Sequence, residues 1–319
     1  MSTDLRGTEL RALRQFVALA EELHFGRAAQ RLHMSQPALS QALQRLESAL
    51  GAALLRRSPR AVALTAGGAA LLPQARRLIA AADALPAEVQ AAAAGLAGRL
   101  RLAFVSSIAY GPLPAWLRSF REAQPQVELA LREATLDVQL EAFATDEIDA
   151  GFVLHADGGA PPGLAAWRVL REPLCIALPQ THPLAARRRL DLAALAAQPL
   201  VMFPRRIAPS LFDAIVGHYR AGGLTPSIVQ EAIQMQTLVN LVSAGMGLAW
   251  VPASLQQLQR PGVVYRPLAG SPLHCETSLV WRAPPPPVVE RFVAHVQRQS
   301  APDQAAHPAA AARSRRKAP

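Results

Sequence analysis

The chain has 319 residues with 33 Lys+Arg against 23 Asp+Glu, a formal net charge of +10, and 51% apolar residues; that is enough to bury cores in two or three domains, and it excludes global disorder. Cys175 and Cys275 stand far apart, with neither CxxC nor Cys/His spacing, so neither a disulfide framework nor a zinc site is implied, and a reducing cytoplasm fits. Charged residues interrupt the first turns, and the longest uncharged stretch, 232–259, carries Gln234, Gln236, Asn240 and Pro252, so neither a signal peptide nor a membrane span is expected.

Positive charge is concentrated at the ends. Residues 1–66 hold nine arginines against five acids, whereas 67–300 hold twenty against seventeen. A small basic module on a near-neutral body points to an anion-binding head and a separate sensing or catalytic part. In the head, Leu10, Leu13, Val17, Ala20 and Leu23 recur at helical spacing, which predicts an amphipathic helix over 8–22. His24-Phe25-Gly26 breaks it, and a short second helix is predicted over 27–32. Ser35 offers an N-cap hydroxyl and Pro37 a first-turn proline for a third helix, whose stripe Leu39, Leu43, Leu46 and Leu50 runs to Gly51. Its outward residues Gln36, Ser40, Gln41 and Gln44 are amides and a hydroxyl, where an ordinary solvent face would carry Glu/Lys pairs. Gln can pair with adenine through two hydrogen bonds, and Ser serves several base edges. Two short helices joined by a tight turn, followed by residues 54–65 as a two-stranded wing with a basic tip, predict a winged helix-turn-helix that binds double-stranded DNA. A helical protein–protein module is the alternative.

Four segments together resemble the LysR-type transcriptional regulators: Phe16-Val17-Ala18-Leu19-Ala20-Glu21-Glu22, His24-Phe25-Gly26-Arg27-Ala28-Ala29, Ser35-Gln36-Pro37-Ala38-Leu39-Ser40 and Leu64-Thr65-Ala66-Gly67-Gly68. The resemblance implies that Gln36, Pro37, Ser40 and Gln41, behind the Ser35 cap, sit in a major groove. It implies that Arg27 and Thr65 approach phosphates and that Arg60 in the wing reaches a minor groove. Phosphate contacts fix register, while Gln36, Ser40 and Gln41 carry sequence information.

Residues 66–94 are dominated by Ala and Leu, which predicts a long linker helix with a bend or break near Pro73 or Pro86. Leu71, Leu72, Leu78 and Leu85 can form a seam with a second copy, and the resemblance implies an antiparallel pairing of this helix in a homodimer or homotetramer. An intramolecular spacer is the alternative. Gly95 and Gly98 mark a hinge. The predicted domains are thus 1–66 for DNA binding, 67–97 for the linker, 98–300 for the body and 301–319 for a disordered basic tail.

Strands predicted over 99–105, 127–132 and 148–153 alternate with helices over 111–123 and 136–145, an order that implies a parallel sheet with flanking helices. The pattern resumes with strands at 174–178, 200–203, 228–230 and 247–251 and helices at 210–221 and 235–243. The fold class is therefore α/β, and the body resembles a two-lobed periplasmic-binding-protein-like effector domain. Lobe I spans about 98–165 and 272–300, and lobe II about 166–271. Ligands in open α/β sheets bind beyond the carboxyl ends of strands. Ser106 and Ser107 follow the first strand, Thr135 the second, and Phe203 a strand of the other lobe. Hydroxyls with backbone N–H groups can hold a carboxylate, while Phe203, Ile207 and the helix around Gln234 wall an apolar portion. Ser106-Ser107 with Tyr110-Gly111-Pro112-Leu113-Pro114 looks like the subgroup regulating aromatic-compound catabolism, which implies an aromatic acid or muconate-like diacid as effector.

The histidines show no metal spacing and no nucleophile motif adjoins them, so no cofactor, metal or catalysis is expected. The reading is a ligand-responsive regulator acting through RNA polymerase recruitment, with activation the expected direction. A solute-binding module or enzyme whose N-terminal helices serve only for oligomerisation is the alternative.

Overall fold

The computed structural model describes residues 9–57 and 62–304, which divide into two compact units, Met1–Gln90 and Ala91–Pro319. The first opens with α1 (Leu10–Glu22), α2 (Phe25–Arg31) and α3 (Gln36–Leu50). Phe16, Leu19, Leu39 and Leu43 close their shared core, joined by Leu54 and Leu55 where the chain enters the wing strands β1 (Leu55–Arg57) and β2 (Val62–Leu64). The apolar stripe expected on α1 is displaced: Leu10 and Leu23 are exposed, and Phe16 and Leu19 take the inward positions. Leu23 lies in the left-handed region at φ 46°, ending α1 and turning its side chain away from the core. The wing is docked by Glu47 of α3, whose Oε1 accepts from Leu54 N at 2.7 Å and Leu55 N at 3.2 Å.

The linker helix α4 runs from Ala66 to Ala93 without a break, through both Pro73 and Pro86. Each proline removes one helix hydrogen bond, but 28 alanine-rich residues supply the rest. Ala75 is fully buried, and Leu71, Leu72 and Ile79 pack on the head's core. Arg76 bonds Glu21 at 2.7 Å and holds its carboxyl below the ordinary value, and Arg14 pairs with Asp83, so α1 and α4 are tied along their length.

The second unit is built on one mixed sheet of order β10-β6-β11-β5-β3-β4, with β9 also on β6. Its strands are β3 (Ala97–Phe104), β4 (Gln126–Glu133), β5 (Ala150–Ala156), β6 (Ala165–Pro179), β9 (Ala249–Pro252), β10 (Val263–Pro267) and β11 (His274–Trp281). A separate parallel pair is formed by β7 (Pro199–Met202) and β8 (Ser227–Glu231). The parallel sheet expected from the sequence holds for β3 with β4 and β5. It fails at β11, which lies antiparallel between β5 and β6, and at β9 and β10, both antiparallel to β6. The helices are α5 (Ser106–Ala109), α6 (Leu113–Ala123), α7 (Leu136–Ala144), α8 (Leu192–Ala196), α9 (Pro209–Ala221), α10 (Met235–Ser243) and α11 (Pro287–Gln304).

Strand β6 joins the two lobes. Its first half pairs with β11 and its second half with β9 and β10, so one 15-residue strand crosses from lobe I to lobe II. Separate cores lie on either side: Phe120, Phe152 and Phe292 in one, Tyr219, Trp250 and Phe203 in the other. Gly95, at φ 68°, is a steric requirement, because a Cβ there would meet the Pro287 carbonyl at about 2.5 Å.

Candidate nucleic-acid interface and effector cavity

Helix α3 is delimited as its residues dictate. The Ser35 hydroxyl accepts from Ala38 N at 3.4 Å, Pro37 lies in the first turn, and Gly51 closes the helix at φ 65°. Leu39, Leu43 and Leu46 are buried, while Gln36, Pro37, Gln41 and Gln44 are exposed along one side and Ser40 is partly so. The amide face read from the sequence is therefore a real outer face. Two other expected contacts are engaged within the protein. Arg27 turns back on the end of α1, with Nε 3.2 Å from Glu22 Oε2 and Nη2 donating to the Glu22 carbonyl at 2.6 Å. A phosphate would have to draw Arg27 off Glu22. Thr65 donates its hydroxyl to Ala53 O at 2.6 Å and accepts from Gly68 N at 3.0 Å, capping α4 and fixing the wing's exit. Gly68 cannot carry a side chain, since a Cβ would run into the Leu54 carbonyl. Arg60 lies outside the described residues, as does the basic tail beyond Gln304.

In the second unit the six residues singled out from the sequence surround one cavity. Ser106, Ser107 and Thr135 come from lobe I, and Phe203, Ile207 and Gln234 from lobe II. Val105, Leu154, Ala208, Ile233 and Met235 complete its wall; being apolar, they carry no chemical signature that marks them as ligand contacts. Its volume is about 30 Å³, room for one or two waters. An organic molecule therefore enters only with movement of the lobes or their side chains. Ser107 is 2% exposed, and its Oγ has no hydrogen-bond partner. Thr135 and Gln234 are the N-cap residues of α7 and α10, and neither side chain caps its own helix. Two helix N-termini, one per lobe, thus adjoin the cavity, where their dipoles favour negative charge.

The loop bearing Thr135 is pinned from beneath. Gln139, fully buried in α7, donates from Nε2 to Ala134 O at 2.8 Å and to Phe152 O at 3.0 Å. Its carboxamide occupies the space above Gly151 that any Cβ would need. On the other lobe, Phe203 packs edge-on against Phe212. Both cysteines are buried, and burial pushes the Cys175 thiol up to about 12, so neither offers a nucleophile. Among the described residues no helix is long and apolar enough to cross a membrane.

Comparison with known proteins accounts for both units. "Bacterial regulatory helix-turn-helix protein, lysR family" matches residues 10–69, and "LysR substrate binding domain" matches residues 93–301. The chain is 48% identical to the HTH-type transcriptional regulator IlvR of Caulobacter vibrioides over 86% of its length and 92% of that protein's. It is 36% identical to the HTH-type transcriptional regulator AlsR of Bacillus subtilis over 86% and 90%. Among solved structures, full-length CbnR complexed with its target DNA aligns at TM-score 0.76 and 32% identity, covering 92% of this chain and all of that one. Full-length BenM aligns at TM-score 0.56 and 29% identity, covering 93% and 98%. The chain therefore belongs to the LysR family of helix-turn-helix transcriptional regulators, DNA-binding proteins rather than enzymes.

Proposed function

We propose that this regulator reads promoter DNA through Gln36, Ser40 and Gln41 and answers to a small carboxylate-bearing effector held between its lobes, an aromatic acid or a muconate-like diacid. The observation that carries the effector reading is Ser107. A hydroxyl buried without a partner is costly, and a ligand acceptor would relieve it. Thr135 and the N-termini of α7 and α10 add donors and positive dipole ends, while Phe203, Ile207 and Leu154 offer apolar contact for a ring or a carbon chain. Ser106 and Gln234 complete the polar wall. CbnR's complex with target DNA, in a protein alignable over 92% of this chain, supports duplex DNA as the partner of α3.

In this reading Arg27 swings from Glu22 to a phosphate, Thr65 and Ser35 orient the wing and α3, Pro37 starts α3 in the groove, and Arg60 reaches a minor groove. A homodimer or homotetramer assembles along α4, where Leu78, Leu85 and Val89 are exposed at helical spacing. Effector binding alters the spacing of the heads and so recruits RNA polymerase, in the cytoplasm and as an activator. The domain limits that follow are 1–66, 67–97 and 98–300, with 301–319 as a basic tail. The test is footprinting on the intergenic DNA flanking the gene, in wild type and Gln36→Ala. The variant is expected to lose about 1–3 kcal/mol of operator affinity, with nonspecific binding unchanged. Equal discrimination of operator from random DNA would remove Gln36 from base reading, and a blank footprint for wild type would end the proposal.

A further inference from the structure

The cavity wall holds hydroxyls and an amide but no charged side chain, so it gives a carboxylate no counter-ion of its own. Two charged residues adjoin its lining residues, one from each lobe. Asp137, in the first turn of α7, accepts the Thr135 hydroxyl on Oδ1. Its Oδ2 faces Arg206 Nε at 3.8 Å. Arg206 belongs to the 3-10 turn Arg205–Ile207, which supplies Ile207 to the cavity. The neighbouring Arg205 is already matched, with two bonds to Asp213 of 2.7 and 2.6 Å. One carboxylate thus bridges a hydroxyl of one lobe and a guanidinium of the other, each through its own oxygen.

We infer that Asp137 is an internal stand-in for the effector's carboxylate: it links Thr135 to Arg206 across the cleft, and the effector displaces it from both, taking Arg206 as counter-ion. The inference rests on the carboxylate reading above. A threonine hydroxyl has one proton, so Thr135 cannot donate to Asp137 and to an effector together. Guanidinium prefers two parallel bonds to a carboxylate, and a single 3.8 Å approach leaves that capacity unused. A better-placed anion therefore has something to gain from Arg206, while the repulsion between Asp137 and an incoming carboxylate drives the two apart. A neutral molecule of the same shape has no such means of opening the link. Asp137 accordingly sets both the threshold for effector entry and the requirement for negative charge.

The test uses the full chain as wild type, Asp137→Asn, Arg206→Gln and, as control, Arg205→Gln. Benzoate, cis,cis-muconate and the uncharged benzamide are the probes, with affinities from calorimetry. Removing the internal competitor's charge should tighten carboxylate binding about two- to fivefold, the scale of an exposed ion pair. Removing the counter-ion should weaken it about tenfold or more, the scale of a charged hydrogen bond. Arg205→Gln should leave it unchanged, and Asp137→Ser, which retains a hydroxyl in the first helical turn, should repeat the asparagine result. Opposite shifts for Asp137 and Arg206 distinguish displacement from a merely structural ion pair, which would move both variants the same way and overturn the inference. If neither carboxylate binds the wild type, the effector reading falls by itself. Amide hydrogen exchange over 134–144 and 203–208 then decides the link: equal acceleration in both variants retains it, and unaltered exchange removes it.

Discussion

A buried hydroxyl left without a partner costs a folded protein about 1–3 kcal/mol, and Ser107 Oγ, on the cavity wall, has no partner among the protein's own groups. Ser107→Ala should therefore move two properties in opposite directions. Its unfolding midpoint should rise, because alanine leaves nothing to satisfy, while its response to carboxylate effectors should fall. Paired melting and reporter curves check this, and a midpoint that fell would mean that the hydroxyl is satisfied within the protein. His295 tests burial elsewhere. It is buried between α6 and α11, with Nε2 2.8 Å from Ser119 Oγ and its ring edge-on to Phe120. Burial, then the charge of Arg298, lowers its pKa below the ordinary 6.5. The folded chain thus refuses a proton that the unfolded chain accepts, so stability is full above about pH 6.5 and is lost as pH falls from there through the folded-state value. His295→Gln, which can keep the bond to Ser119, should flatten the dependence of the urea midpoint on pH across that window. An unchanged slope would assign the acid sensitivity to other groups.

Among the elements, α4 is where local propensity outweighs two prolines, and it leaves Leu78, Leu85 and Val89 more than half exposed along one side. Leu85→Arg keeps the helix propensity and removes the apolar contact. It should shift the protein toward monomer in sedimentation while the melting of the head is unchanged; an unaltered mass at equal concentration would exclude this stripe from assembly. The legibility of the other elements followed the range of the interactions that make them. Helices α1 to α3 were readable because caps and stripes lie within a few residues: Ser35, Pro37 and Gly51 bracket α3 as read. Leu23 was misplaced on the apolar face because its exposure comes from a left-handed φ, which side-chain spacing does not encode. The sequence pattern marks only the lobe II half of β6 and leaves β10 unmarked, since pairing with β9, β10 and β11 joins segments distant in sequence. The return of β11 between β5 and β6 likewise made a mixed sheet of one that local βα alternation read as parallel.

At the scale of the whole molecule, the six cavity residues were legible because one rule, ligands beyond strand ends, applies in both lobes. The Asp137–Arg206 link was not, because nothing in the sequence says which surface charges meet across a cleft. A cavity of about 30 Å³ must widen to admit an organic acid, and ligand sites are commonly about 300–1,000 Å³. The effector can shift the regulator only by its difference in affinity between the narrow and wide arrangements. If that shift reaches the DNA-binding head, linkage requires the reverse: operator DNA must change effector affinity by the same factor, on the order of 5–150-fold for coupled sites. Measuring operator affinity with and without saturating effector, and effector affinity with and without operator, should give matching ratios. Residue roles then separate cleanly. Gln36→Ala should lower operator affinity and preserve the ratio, because it acts on one side of the cycle alone. Thr135→Val should bring the ratio toward one with operator affinity intact, because it removes the difference between the two arrangements. A wild-type ratio of one would show that this cavity does not control the head.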